Sequence, residues 1–169
     1  MEYNRDNYNI GKHMSKKPDY RPNVAMIIVS SNYPQNKEIF IAQRNDLLDI
    51  WQFPQGGIDK GEEVKEALFR EMEEEIGTKD AELVGEYPEW ISYDFPSKIA
   101  EKMKPYKGQT QRYFLMKLAK DAKIDLDTHH PEFCDYKYVS VEDVLSHTAH
   151  FKKPVYETVI NYFKKEGLL

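Results

Sequence analysis

Hydrophobic and polar positions alternate along the chain in short blocks that predict β-strands. The block VAMIIVSS (24–31) is apolar and rich in β-branched residues, which is typical of a buried strand. The block EIFIAQR (38–44) alternates, and the turn residues around Pro34 predict that the two blocks form a hairpin. Extended structure is also predicted for 50–57, for 82–95 with an interruption near Pro88, for 111–118 and for 133–140.

Helical spacing is found in three other segments. An acidic helix is predicted to end at about Ile76. Ser140 and Asp143 resemble a capping box, which predicts a short helix over 141–147. An amphipathic helix is predicted over 153–166. Strands with helices on both sides indicate an α/β/α sandwich built on a mixed, partly antiparallel sheet.

Length and composition limit the class of protein. The chain has 169 residues, of which 40% are hydrophobic, and a net charge of −5. We expect a flexible N-terminal tail over 1–19, which is polar and aperiodic, and one folded domain over 20–169. The single cysteine, Cys134, excludes an internal disulfide, and we expect no disulfide-linked partner. Because no apolar run is long enough for a membrane span and no signal peptide is recognisable, we expect a cytoplasmic protein.

The stretch EALFREMEEEIG (66–77) predicts a helix with carboxylates in its last turn, where each costs about 0.3–1 kcal/mol against the helix dipole. On a helical wheel Glu71 and Glu75 lie at the border of the apolar stripe, and Glu74 lies one step further round. The three side chains therefore converge beside the core. A hard divalent cation, Mg²⁺ or its substitute Mn²⁺, would remove their repulsion. The alternative is a glutamate-rich helix that is simply solvated.

The spacing around this helix is more specific than its charge. Seven residues match a fixed pattern of types and offsets, namely Gly56, Glu62, Arg70, Glu71, Glu74, Glu75 and Gly77. This pattern resembles the Nudix box, the signature of hydrolases that cleave nucleoside diphosphates linked to another group. One position departs from it, because Thr78 stands where the family has an apolar residue.

The resemblance implies a Nudix-type fold with a catalytic loop–helix–loop, and roles for the matching residues. It implies that Glu71, Glu74 and Glu75 are catalytic metal ligands and that the carbonyl of Gly56 is a backbone ligand. It implies that Arg70 and Glu62 are a structural pair that braces the loop–helix–loop between Gly56 and Gly77. In this chemistry a water activated by metal and carboxylate attacks a phosphorus atom.

Four flanking segments, YRPNVA, WQFPQGG, PEF and FKKPVY, are similar to the subgroup of bacterial RNA pyrophosphohydrolases and dinucleoside polyphosphate hydrolases. The similarity implies that Glu132 is a fourth catalytic and metal-binding carboxylate. It implies that the substrate is bound by Arg21, Arg44, Phe151 and Lys152. Without the family, Glu132 is interpreted as a surface carboxylate and Phe151 as a core residue.

A basic stretch lies between positions 97 and 117 of this acidic protein. It contains one acid, Glu101, and six basic residues, Lys98, Lys102, Lys104, Lys107, Arg112 and Lys117. Such a stretch attracts polyanions. The alternative is a solvated loop whose lysines serve only solubility.

Together these features predict a Mg²⁺-dependent RNA pyrophosphohydrolase. It would convert the 5′-triphosphorylated or 5′-diphosphorylated end of RNA to a 5′-monophosphate and so promote mRNA decay. Two alternatives are a hydrolase of dinucleoside polyphosphates such as diadenosine tetraphosphate, and a Nudix module that binds nucleotide or RNA without cleaving it. Retention of the box carboxylates favours catalysis.

Overall fold

The computed structural model describes residues 18–169, so most of the predicted tail lies outside the described residues. The strands are β1 (Tyr20–Val29), β2 (Ile39–Arg44), β3 (Trp51–Gln52), β4 (Gln55–Gly57), β5 (Ala81–Glu86), β6 (Ile91–Asp94), β7 (Gly108–Leu118) and β8 (Phe133–Val139). The α-helices of this part are α1 (Val64–Ile76), α2 (Ser97–Lys102), α3 (Val144–His147) and α4 (Lys153–Lys165). Single 3₁₀ turns, Val141–Asp143 and His150–Lys152, precede α3 and α4.

The strands form one mixed sheet in the order β3-β2-β1-β7-β5, with β4 beside β1, β6 beside β7 and β8 beside β2. The central pair, β1 and β7, is parallel over ten residues, and the other pairs are antiparallel. The predicted hairpin is present but short, because β1 and β2 share only the register pair Val29↔Ile39. Most of β2 pairs with β8 instead.

The sheet buries both of its faces, which explains why residues 24–29 of β1 are continuously apolar. Val24, Met26 and Ile28 point to the face covered by α1, whereas the alternate residues of β1 point to the face covered by α4. The predicted α/β/α sandwich on a mixed sheet is therefore confirmed. Within residues 18–169, no helix has both the length and the apolar character that a membrane crossing requires.

Several local predictions can be compared with the structure. The strand predicted over 82–95 is interrupted as expected and forms β5 and β6. Gly77 ends α1 with φ 77°, and a side chain there would meet the backbone oxygen of Asp125 at 2.5 Å. The capping box is wrong, because the Ser140 hydroxyl donates to the Asp143 carboxylate at 2.9 Å and caps no backbone N–H.

Candidate active site

Helix α1 presents its carboxylates to the backbone of β4. Glu71 and Glu75 are buried, whereas the side chain of Glu74 is 57% exposed. The Gln55 N–H donates to Glu75 Oε2 at 3.2 Å. A Cβ atom on Gly56 would lie 1.9 Å from both Cδ and Oε2 of Glu71, so a glycine is required for this close approach. The wheel prediction of two border carboxylates and one outer carboxylate agrees with this burial.

Arg70 joins the loop before α1 to the carboxylates on the helix. Its guanidinium forms a bidentate ion pair with Glu62 at 2.7 and 2.8 Å and donates to the Gly57 carbonyl at 2.9 Å. The remaining nitrogen lies 2.8 Å from Glu71 Oε1 and 3.2 Å from Glu74 Oε2. The hydrogen bond from Arg70 lowers the pKa of Glu62, so this pair stays ionised.

Burial and neighbouring charge raise the pKa values of the inner carboxylates. Desolvation is the main cause of the raised pKa of Glu71. Desolvation also raises the pKa of Glu75 well above its usual value, and the carboxylates of Glu132 and Glu71 raise it further. The Glu132 backbone is held in place because its carbonyl accepts the Asn45 N–H at 3.0 Å. Glu132, predicted from the PEF segment, therefore does lie beside the box carboxylates.

The donor set of this cluster suits a hard divalent cation. It offers carboxylate oxygens that repel one another, and Mg²⁺ and Mn²⁺ prefer such ligands. Among residues 18–169, however, no three acidic, histidine or cysteine side chains are already arranged as a complete metal site. Arg70 instead supplies the positive charge between Glu71 and Glu74. A cation bound here would require these side chains to reorient, so the assignment of individual metal ligands stays a prediction.

Tyr93, which the sequence did not single out, contacts one of the predicted substrate-binding residues and lies within the electrostatic influence of two others. The rings of Tyr93 and Phe151 lie 5.6 Å apart, and the charges of Arg21 and Arg44 both act on the Tyr93 hydroxyl. Burial raises the pKa of Tyr93 to about 12, and its hydroxyl is hydrogen-bonded to the Gln55 side chain. Phe151 is half-buried, so its ring both packs on the core and faces this group.

The fourth predicted substrate residue, Lys152, is buried rather than free to reach a ligand. Its ammonium group donates to Gln52 Oε1 at 3.1 Å and lies 3.5 Å from Gln55 Oε1. The pKa of Lys152 is lowered to about 7, mainly by burial and also by the charge of Arg44. Gln111 also donates to Gln55 Oε1, at 3.1 Å. Gln55 thus connects a buried polar network to Glu75, and no sequence pattern indicated this connection.

The protein is an α/β/α sandwich. Its candidate active site is formed by buried carboxylates of α1 that pack against the glycines of β4. The NUDIX domain family matches residues 19–159, and the chain belongs to this family. Nudix hydrolases generally depend on divalent metal ions.

Curated relatives match almost the whole chain. The RNA pyrophosphohydrolase of a Nitratiruptor species is 63% identical over 152 residues, which cover 90% of this chain and 98% of that protein. The RNA pyrophosphohydrolase of Campylobacter jejuni subsp. jejuni is 58% identical over 156 residues, which cover 92% of this chain and 100% of that protein.

A solved structure supports the fold alone. The E. coli dihydroneopterin triphosphate pyrophosphohydrolase superposes with a TM-score of 0.67 at 19% identity, covering 85% of this chain and 98% of that one.

Proposed function

We propose that this protein is a metal-dependent RNA pyrophosphohydrolase that converts the 5′-triphosphorylated or 5′-diphosphorylated end of RNA to a 5′-monophosphate. The observation that carries the proposal is the convergence of Glu71, Glu75 and Glu132 opposite the glycine backbone of β4. The names of relatives at 63% and 58% identity support RNA as the substrate. A cytoplasmic location, where transcripts are degraded, belongs to the same proposal.

The acidic residues of the site would bind the metal ion that the reaction requires. Glu71, Glu74, Glu75 and Glu132, with the Gly56 carbonyl, would hold Mg²⁺ or Mn²⁺. The cation supplies positive charge that stabilises the phosphates and favours ionisation of the attacking water. Burial raises the pKa values of Glu71 and Glu75 in the metal-free protein, and a bound cation would favour their ionised forms.

The opposite wall of the site would hold the substrate. The guanidinium groups of Arg21 and Arg44 suit phosphate oxygens, which they can bind in a bidentate manner. The exposed part of the Phe151 ring can stack on a base, which contributes about 1–3 kcal/mol per base. Lys152 would contribute to this wall indirectly, because its ammonium group holds the side chains of Gln52 and Gln55 in place.

The test compares two substrates and two variants. Wild-type protein with Mg²⁺ is assayed on 5′-triphosphorylated RNA and on diadenosine tetraphosphate, and we expect faster turnover of the RNA. Glu71→Gln is expected to lower kcat by about 10²-fold or more, while Glu66→Gln on the exposed face of α1 leaves it unchanged. Circular dichroism checks that both variants fold.

Each outcome has a definite consequence. Efficient cleavage of diadenosine tetraphosphate with little cleavage of RNA would replace the proposal with the dinucleoside polyphosphate alternative. Turnover by Glu71→Gln equal to that of wild type would refute the catalytic assignment. Binding of RNA without turnover by any metal-loaded form would identify a non-catalytic module.

A further inference from the structure

The segment between β6 and β7 forms a basic projection beside the candidate site. It leaves the sheet just after Tyr93, forms α2, and closes where the Phe95 N–H donates to the Lys107 carbonyl at 2.8 Å. The strand pair that carries it is held by the register pair Asp94↔Gly108. Because both ends of the segment leave from β6 and β7, α2 lies at the end of the strand pair that carries Tyr93.

Only part of the basic stretch between positions 97 and 117 forms an exposed basic surface on this projection. Arg112 does not contribute, because it is buried in an ion pair with Glu86 beneath Trp90. Lys117 lies at the opposite end of β7. The cations that remain on the projection are all exposed, namely Lys98, Lys102, Lys104 and Lys107.

Two of these four lysines are partly neutralised. Lys104 lies 2.9 Å from Glu101, and Lys107 lies 3.7 Å from Asp19. For Lys98 and Lys102, residues 18–169 provide no ion-pair partner within 4 Å. Their spacing of four residues places them on the same side of α2. This pair is hereafter called the α2 lysines.

Lys102 lies near the ion pair that anchors Arg44. Arg44 forms a bidentate pair with Asp46 at 2.7 and 2.8 Å, and the charge of Lys102 reaches that carboxylate and helps to lower the pKa of Asp46. Arg44 in turn lies within the field of Glu132 and Glu75. Arg44, Asp46 and Lys102 thus form a run of charged groups that leads from the carboxylate cluster to α2.

Such a surface fits a ligand that extends beyond the reacting phosphates. A dinucleoside polyphosphate carries no phosphate beyond the nucleoside at either end of its phosphate chain, whereas an RNA carries one further phosphate for each nucleotide beyond its 5′ end. We propose that Lys98 and Lys102 bind the phosphate backbone of the RNA nucleotides that follow the 5′ end. This inference rests on the proposed function and adds a determinant that favours RNA over short nucleotides.

The test measures substrate length and salt together. The double variant Lys98→Gln/Lys102→Gln is compared with wild type on an unstructured 5′-triphosphorylated 20-mer and on a 5′-triphosphorylated dinucleotide. Each single-strand phosphate contact contributes about 0.7 to the slope of log affinity against log salt, so losing two lowers the slope by about 1.4. At 0.1 M salt we expect KM for the 20-mer to rise about tenfold. KM for the dinucleotide, which carries only one such phosphate, should rise much less, and kcat for both substrates should not change.

The matched control is Lys120→Gln/Lys123→Gln. It makes the same change in net charge on exposed lysines beyond the far end of β7, about 30 Å from α2. An equal rise in KM from the control, or an equal rise for the dinucleotide in the α2 variant, would overturn the inference. So would an unchanged salt slope for the 20-mer.

If the proposed function itself is wrong, the turnover assays give a different result. In that case no triphosphorylated substrate of either length is turned over by wild type. Fluorescence anisotropy of the 20-mer on Glu71→Gln protein, with and without the α2 substitutions, still tests the surface. Binding that is equally tight and equally salt-dependent in both proteins would overturn the inference.

Discussion

The contact between Gly56 and Glu71 makes the site sensitive to a single methyl group. In Gly56→Ala the new Cβ would lie 1.9 Å from Cδ of Glu71, whereas ordinary contact begins at 3.4 Å. The difference, 3.4 − 1.9, requires the Glu71 carboxylate to move by about 1.5 Å. That movement also takes the carboxylate away from Arg70, which now donates to it at 2.8 Å.

A displacement of this size should impair the chemistry more than the fold. A misplacement of about 1 Å costs about 10²-fold in rate, so we expect kcat of Gly56→Ala to fall by about that factor, or about 2.7 kcal/mol. The affinity for Mn²⁺ should fall too, whereas the flexible end of Glu71 should limit the loss of unfolding free energy to about 1–3 kcal/mol. Steady-state kinetics on triphosphorylated RNA, Mn²⁺ titration calorimetry and urea denaturation measure the three quantities.

The adjacent glycine provides the matched comparison. A Cβ on Gly57 would lie 2.3 Å from Nη2 of Arg21, so Gly57→Ala should displace the substrate-side guanidinium. We expect KM to rise in Gly57→Ala with kcat largely kept. If Gly56→Ala retains kcat within threefold of wild type and binds Mn²⁺ normally, the observed position of Glu71 is not required and the reasoning fails.

Two further predictions concern stability and pH in metal-free protein. The pKa of Glu75 is raised on folding, so its contribution to the unfolding free energy is full below about pH 4.3 and is lost as pH rises through the folded pKa. In urea denaturation with EDTA, Glu75→Gln should therefore lose less stability than wild type between pH 5 and 8, and an identical slope would contradict the burial. The pKa of Lys152 is lowered to about 7, so folding releases a proton above that pH, and wild type should gain stability from pH 7 towards pH 10 as this release costs less. Lys152→Met should lack that gain, and a gain of equal size would show that the ammonium group is solvated.

The sequence predicts the secondary-structure elements of this fold better than it predicts which strands pair with one another. The apolar run of β1 and the wheel of α1 indicate a buried strand and an amphipathic helix because burial periodicity is a local property. The parallel pairing of β1 with β7 joins residues almost ninety positions apart, and no local pattern encodes it. Helix α2 was not predicted, because it buries none of its residues and so has no apolar stripe.

The same distinction applies to the site. The box spacing identifies Glu71 and Glu75, since their types and offsets are written in the chain. The hydrogen bond of buried Lys152 to Gln52, and the influence of two arginines on Tyr93, depend on segments far apart in the chain. Tyr93 lies in a predicted strand at an inward position, and that alternation is the one signal that could have identified it.

The acidic end of α1 can now be explained in physical terms. The last turn contains no basic residue, so the helix dipole and the repulsion between carboxylates both oppose folding there. Arg70 offsets part of this cost by binding Glu71 and Glu74, but Glu75 faces Glu132 and receives only one backbone N–H. A cation that binds the folded state alone relieves this repulsion and stabilises the fold, by about 2.7 kcal/mol at a hundred times its Kd. The charge pattern that disfavours the isolated helix is thus the one that favours binding of a divalent ion, and with it the chemistry of phosphoanhydrides.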